Sequence, residues 1–306
     1  MADTAPLVIV GTGLAGYNLA KEFRKLDNQR PMLLVSADDG RFYSKPLLST
    51  GFSKGKEADE LAMQDAAAMA AQIGAEVLTG VPVSAINPAE RTLTLGDREQ
   101  AYSDLVLALG AEVRALPWRE QLGERLLSIN DLADYGRFRA ALTGRKKVLI
   151  IGAGLIGCEF ANDLSLGGFE VTVVATDPWL MPQLLPEPVA AAVQRRLEAL
   201  GVTFHLGCGI RELAASDDAL LALLDDGSEV HADQGLSAIG LAPRTDLAAA
   251  AGLSVGRGVR VDAQLRSSDP HIYALGDCAE VAGLNLMYVM PLMTSARALA
   301  KTLAGT

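Results

Sequence analysis

The sequence predicts an α/β chain in which one dinucleotide-binding domain interrupts another. Three observations carry that prediction. A strand, a glycine-rich turn and a helix occur twice, because LVIVGTGLAGYNLAKEF from Leu7 overlies VLIIGAGLIGCEFANDL from Val148, with Gly11 on Gly152. Each turn leads to a second apolar strand with an acid beyond it, Asp38 in the first copy and Asp177 in the second, at roughly the twenty-residue distance a ribose-binding carboxylate requires. Each copy is also followed by short apolar runs separated by turn residues, which read as a small β-meander. The expected architecture is therefore two Rossmann-like domains, one inserted into the other, each with its meander.

The elements follow in order. Leu7 to Val10 are four consecutive apolar residues, as in a parallel strand buried on both faces. The turn Gly11, Thr12, Gly13, Leu14, Ala15, Gly16 opens a helix whose apolar residues, Leu14, Tyr17, Leu19, Phe23 and Leu26, recur at helical spacing. The strand 32–35 closes this βαβ unit and leads to Ala37 and Asp38. Residues 61–73 read as an Ala-rich helix, 77–95 as the first meander with turns at Asn87–Pro88 and Gly96–Asp97, and 105–109 as a buried strand ending at Gly110. A polar stretch, 114–123, is the expected crossover.

In the second copy, Gly152, Gly154, Leu155, Ile156 and Gly157 form the turn, Phe160 and Leu164 continue the helix, and strand 170–174 leads to Asp177. The second meander is expected through 202–205, 220–224 and the turn 225–227, with the chain returning around 238–240, at Gly240. A strand over 272–275 entering Gly276 and Asp277, and a helix over 292–303, complete the first domain. The expected boundaries are 1–113 and 237–306 for the interrupted domain and 114–236 for the inserted one.

The glycines of such a turn serve its sharp bend, the close approach of backbone N–H groups to a pyrophosphate, and helix packing. Two turns imply two dinucleotides, a donor and a fixed carrier.

Composition narrows the function. Half of the 306 residues are apolar, 21% are charged and the net charge is −10, which excludes a disordered chain and argues against nucleic acid as a partner. The one dense cationic run, Arg145 to Lys147, stands at the entrance of a strand. Cys158, Cys208 and Cys278 are far apart, so no disulfide framework or metal site is expected, and His205, His231 and His271 are scattered. The amino terminus passes directly into a strand without a signal-peptide pattern. Apolar runs are shorter than the roughly 18 to 20 residues of a membrane helix. A cytoplasmic protein with no membrane partner is expected.

The tail, SAIGLAPRTDLAAAAGL followed by RVDAQLRSSDPHIYALGDCAEV, resembles the FAD-dependent pyridine nucleotide-disulfide oxidoreductase superfamily, and LVLALGA before it is similar to that family's second FAD-contacting strand. The resemblance runs through essentially the whole chain. It implies that the first turn binds FAD, that the second binds NAD(H), and that Gly276 and Asp277 return to the ribityl and phosphate region of the flavin. The segment RFYSKPLLSTGFSK resembles the members that pass electrons from NADH to the small iron protein rubredoxin.

On that resemblance Lys45 approaches the flavin ring, Glu159 stands at the flavin–nicotinamide junction, and Val83 and Val289 contact adenine and ring. By residue type alone, Lys45 reads as a surface lysine beside a proline, Glu159 as an acid favoured by the helix dipole, Asp277 as a helix cap, and the two valines as core residues. The family's disulfide reductases need two nearby cysteines and its peroxide reductases one at the flavin. No such pair is present, so electrons are expected to go directly to an outside acceptor, rubredoxin. The other readings are the ferredoxin reductase of a multicomponent oxygenase and an NADH-responsive binding protein similar to apoptosis-inducing factor. The chain ends after its last expected helix, where the resemblance implies a further interface domain.

Overall fold

The computed structural model describes residues 5–216 and 219–306. The chain packs into two compact units, Met1–Tyr43 with Ala62–Glu112 and Ala242–Thr306, and Ser44–Leu61 with Val113–Leu241. Each is built on a five-stranded sheet whose strands all run parallel, as the Rossmann-like prediction requires.

In the first unit the spatial order is Ile272–Ala274, Asp104–Leu107, Leu7–Val10, Met32–Val35, Glu76–Leu78. The strand Leu7–Val10 is central, and its four apolar residues are at most 7% exposed. The chain leaves it first to one side and later to the other, so the order reverses beside it, which is where open α/β sheets hold ligands. The helix Leu14–Arg24 covers the sheet with Tyr17, Leu19 and Phe23 fully buried. The last helix, Val289–Ala304, packs on that helix through Leu292, Ala296, Leu299 and Ala300.

The second unit repeats the plan in the order Thr203–Leu206, Glu170–Ala175, Lys147–Ile151, Gln234–Ser237, Leu126–Leu127. Its helix Leu155–Leu166 ends at Gly167 and Gly168, whose φ of +88° no β-carbon-bearing residue adopts readily. Asp131 accepts a hydrogen bond from the Asp134 N–H and so starts the helix Leu132–Ala141.

Two expectations are corrected. The meanders are Val83–Asn87, Thr92–Leu95, Arg98–Ala101 and Ile210–Ala215, Leu220–Leu224, Glu229–Ala232. The strands at Val77 and Val202–His205, expected in those meanders, instead extend the parallel sheets. The helix expected over 61–73 is two helices, Ala58–Leu61 and Ala66–Ile73. Phe42 draws the intervening backbone into a bridge, its N–H donating to Gln64 and its carbonyl accepting from Met63, both at 2.8 Å, and Asp65 then caps a new helix start. No helix among the described residues is long and apolar enough to cross a membrane.

Two buried tyrosines of the first unit should behave oppositely. The Tyr17 hydroxyl donates to the Gly40 carbonyl at 2.6 Å, whereas that of Tyr102, 2% exposed, has no hydrogen-bond partner among the described residues. Removing a made hydrogen bond costs about 1 kcal/mol and leaves a buried acceptor unsatisfied, whereas removing an unmade one relieves a desolvated group. Urea unfolding should therefore show Tyr17→Phe destabilised by about 1 to 2 kcal/mol and Tyr102→Phe unchanged or more stable.

Candidate functional site

Both glycine turns are built by the same backbone collision. Gly11 has φ +115°, and a β-carbon on it would lie 2.2 Å from the Ala108 carbonyl oxygen. One on Gly16 would lie 1.9 Å from the Gly11 carbonyl oxygen. In the second unit Gly152, φ +113°, would meet the Ala238 oxygen at 2.5 Å, and Gly157 the Gly152 oxygen at 2.1 Å. These four positions are sealed by the fold. The middle glycines differ: nothing lies within 4 Å of a β-carbon on Gly13 or on Gly154. Packing does not need those two glycines, and the open cradle above each is where a phosphate can approach the backbone. Neither following helix has a side-chain cap or an acid in its first turn, so its N–H groups and positive dipole end remain available to an anion. The residues present thus fit a dinucleotide in each unit.

The acid of the first unit is pre-set. Asp38 Oδ1 accepts from the Ser36 hydroxyl at 2.5 Å, the Gly40 N–H at 2.9 Å and the Thr12 hydroxyl at 3.2 Å. Thr12, 2% exposed, lies in the glycine turn and shares its one hydroxyl proton between Asp38 Oδ1 at 3.2 Å and, more closely, Ser36 Oγ at 2.7 Å, tying the turn to the acid. Burial, and then the charge of Asp38, push the Tyr17 phenol upward. Ala37 is exposed beside this network.

Gly276, φ +76°, presses on the same turn, since a β-carbon there would stand 2.9 Å from that of Ala15. That contact brings half-buried Asp277 to the start of the first helix, and the Asn285 amide donates to the Asp277 carbonyl at 2.8 Å. Gly110, φ +70°, follows the neighbouring strand. Val83 opens a meander strand, half-buried against the core, and Val289 opens the last helix, 37% exposed.

In the second unit Asp177 lies beyond its strand, and its carbonyl accepts from the Gly207 N–H at 2.8 Å. Met181, a non-glycine residue at φ +51°, donates its N–H to Ala153 within the glycine turn at 2.9 Å. Leu155 is 40% exposed at the open side, Ile156 half-buried, and Gly240 exposed at φ +99°.

The segment Ser44–Leu61 packs in this second unit, so Lys45 shares its unit with Glu159 and not with the first glycine turn. Lys45 begins the short helix Lys45–Thr50, and its Nζ donates to Asn130 Oδ1 at 2.8 Å. Within that short helix, Ser49 donates from Oγ to Glu159 Oε2 at 2.8 Å. Sequence reasoning missed Asn130 and Ser49, whose partners lie 85 and 110 residues away. The spacing of Asp163 four residues after Glu159 was a readable signal, since it puts both acids on one helix face. Burial, with Glu159 adding, pushes the Cys158 thiol up to about 12, and burial pushes Cys278 up to about 11, so neither supplies a thiolate near neutral pH.

Comparison with known proteins places these features in context. Residues 5–300 match the family model for pyridine nucleotide-disulphide oxidoreductases. The chain is 54% identical over 301 residues to a rubredoxin-NAD(+) reductase of Alcanivorax borkumensis, covering 98% of this chain and 79% of that protein. It is 43% identical over 308 residues to a rubredoxin-NAD(+) reductase of Acinetobacter baylyi, covering 98% and 78%. The covalent putidaredoxin reductase–putidaredoxin complex is similar with a TM-score of 0.91 and 29% identity, over 99% of this chain and 76% of that one.

The two kinds of glycine separate by experiment. Gly13→Val should fold with a melting temperature close to that of the unsubstituted apoprotein but retain no flavin, because its side chain fills only the cradle. Gly11→Val should fail to fold. Flavin absorbance and thermal melting of both variants check this, and a Gly13→Val protein with full flavin content would exclude the cradle as the pyrophosphate site.

Proposed function

We propose, because the chain belongs to the pyridine nucleotide-disulphide oxidoreductase family, that it passes electrons from NADH through FAD to rubredoxin. The observation that carries this reading is the paired open cradle at Gly13 and Gly154, one for a fixed carrier and one for an exchanging donor. We assign FAD to the first unit and NADH to the second. When bound, FAD supplies what no side chain can, acceptance of two electrons as a hydride and their release one at a time. For each NADH oxidised, NAD+ and one proton leave and two acceptor proteins each take one electron.

The chain's own residues bind, orient and tune. The N–H groups of each turn and its helix hold a pyrophosphate. The Asp38 carboxylate, fixed through Oδ1, takes the adenosine ribose hydroxyls of FAD, and Asp277 takes the ribityl side. Lys45 contributes a cation toward the flavin ring, where negative charge accumulates on reduction, and Glu159 orients the nicotinamide side. Orientation is the larger part of such catalysis.

Asp177 and the stretch around it set the preference for NADH. No Arg or Lys occurs between Val171 and Leu185, so a 2′-phosphate finds no guanidinium there and meets a carboxylate instead. The three free cysteines, two of them buried, support a cytoplasmic location and direct transfer without thiol chemistry. A second reading, a ferredoxin as acceptor, is favoured by the likeness to a ferredoxin reductase from Rhodopseudomonas palustris, with a TM-score of 0.92 and 29% identity.

Stopped-flow reduction decides between these readings. NADH should reduce the bound flavin faster than NADPH, and the reduced protein should pass electrons to rubredoxin faster than to a ferredoxin; the reverse acceptor ranking would favour the second reading. Reduction with no turnover on either acceptor would favour a binding role. Lys45→Ala should keep its flavin, be reduced about tenfold or more slowly, and show a lower flavin potential. Alkylation at pH 8, below the raised values of Cys158 and Cys278, should leave both thiols unlabelled and turnover intact.

A further inference from the structure

We propose that Asp163 is a positioning residue: its buried carboxylate fixes the register of segment 45–56 on the helix Leu155–Leu166 and thereby sets where Lys45 and Glu159 stand. The proposal deepens the reading above and rests on it. Asp163 is 1% exposed. Its Oδ2 accepts from the Phe52 N–H at 2.9 Å, and its Oδ1 accepts from the Ser53 N–H at 2.9 Å and the Ser53 hydroxyl at 2.5 Å. These N–H groups lie just past the end of the short helix Lys45–Thr50, outside any strand, and a buried N–H must find an acceptor. An apolar residue at position 163 could fill the space but could not accept them.

The grip is directional because the side chain of the same residue is anchored. The Phe52 ring is 5% exposed and packs against Tyr135, Phe138 and Phe169 at centroid distances of 5.0, 5.9 and 6.1 Å. Gly51 is required beside it, since a β-carbon there would stand 2.3 Å from the Tyr135 hydroxyl. That hydroxyl in turn donates to the Lys56 carbonyl at 2.7 Å. With 52 and 53 fixed, Ser49 falls opposite Glu159 and Lys45 opposite Asn130. Asn130 is itself held, its N–H donating to Asp134 Oδ2 at 3.0 Å. The helix therefore meets the segment through two carboxylates one turn apart: Asp163 holds the backbone, and Glu159 receives what that placement delivers. A slip of one residue would turn the Ser49 hydroxyl away from Glu159.

The test compares Asp163→Ala and Asp163→Asn in the full chain with Ser165→Ala, a control on the same helix whose hydroxyl donates to Leu200 and does not reach the segment. Hydrogen exchange of the flavin-free protein reads the bracket directly, and both Asp163 variants should take up deuterium faster across 44–61 while the control does not. With flavin bound, the rate constant for reduction at saturating NADH should fall by up to about a hundredfold in Asp163→Ala, the order of loss that a displacement near 1 Å can produce, with the dissociation constant for NADH within about twofold of the parent. Ser53→Ala, which removes one donor only, should fold and show a smaller change in the same two readouts. Unchanged exchange, an unchanged reduction rate, or an equal loss in Ser165→Ala would overturn the proposal. A parent protein that NADH does not reduce would overturn the functional reading, and the exchange measurement would then decide the bracket alone.

Discussion

Backbone pressed against backbone is the constraint on which the rest depends. In each unit the glycine turn closes onto the carbonyl at the end of the neighbouring strand, Ala108 in one and Ala238 in the other, at distances no side chain survives. That contact fixes the angle at which each helix leaves its sheet and points its uncapped start at a single place. The strand order reverses beside the same residues, so geometry at the scale of one carbonyl and topology at the scale of five strands select the same point. Only Gly13 and Gly154 escape the squeeze, and their freedom is what a ligand would use.

Around that point the polar residues are arranged in advance. Asp38 is engaged through a single oxygen by a hydroxyl from the turn, a hydroxyl from the strand end and an N–H beyond it. A carboxylate held in this way loses little rotamer freedom when a ribose arrives, and lost freedom is a large share of the cost of binding. The second unit uses a different device, the left-handed Met181 tied to the turn through Ala153. Strain at a non-glycine residue persists where the surroundings over-determine it.

Much of this was legible in the residues. The duplicated strand–turn–helix appears in the sequence because a strand buried on both faces leaves an unbroken apolar run, and a turn with no room leaves glycines. The strands at Glu76–Leu78 and Thr203–Leu206 were legible as strands but not as members of the parallel sheets. Runs of three or four residues carry no periodicity that distinguishes a sheet edge from a meander. The break before Ala66 was hidden because Phe42, far upstream, competes for the backbone at Met63 and Gln64. The destination of segment 44–61 was hidden for a similar reason: Lys45 lies between two elements of the first unit in sequence, while its hydrogen-bond partner lies in the second. Local pattern records what a residue is suited for, and long-range contacts record whom it meets.

The outermost strand of the first sheet has a consequence for how the molecule is made. Ile272 pairs with Leu105, with Val113–Leu241 of the second unit between them in sequence. The entropy of closing so long a loop rises only with the logarithm of its length, so the finished sheet tolerates it, but such distant pairings form late. On the ribosome, every strand of the second sheet has emerged by Ser237, while the first still lacks the strand at Ile272–Ala274, the Gly276 contact and the helix that covers Leu14–Arg24. The amino-terminal half-domain must therefore wait, with an apolar helix face uncovered, until the helix Val289–Ala304 arrives. That interval is when the newly made protein is most exposed to aggregation and most in need of a chaperone.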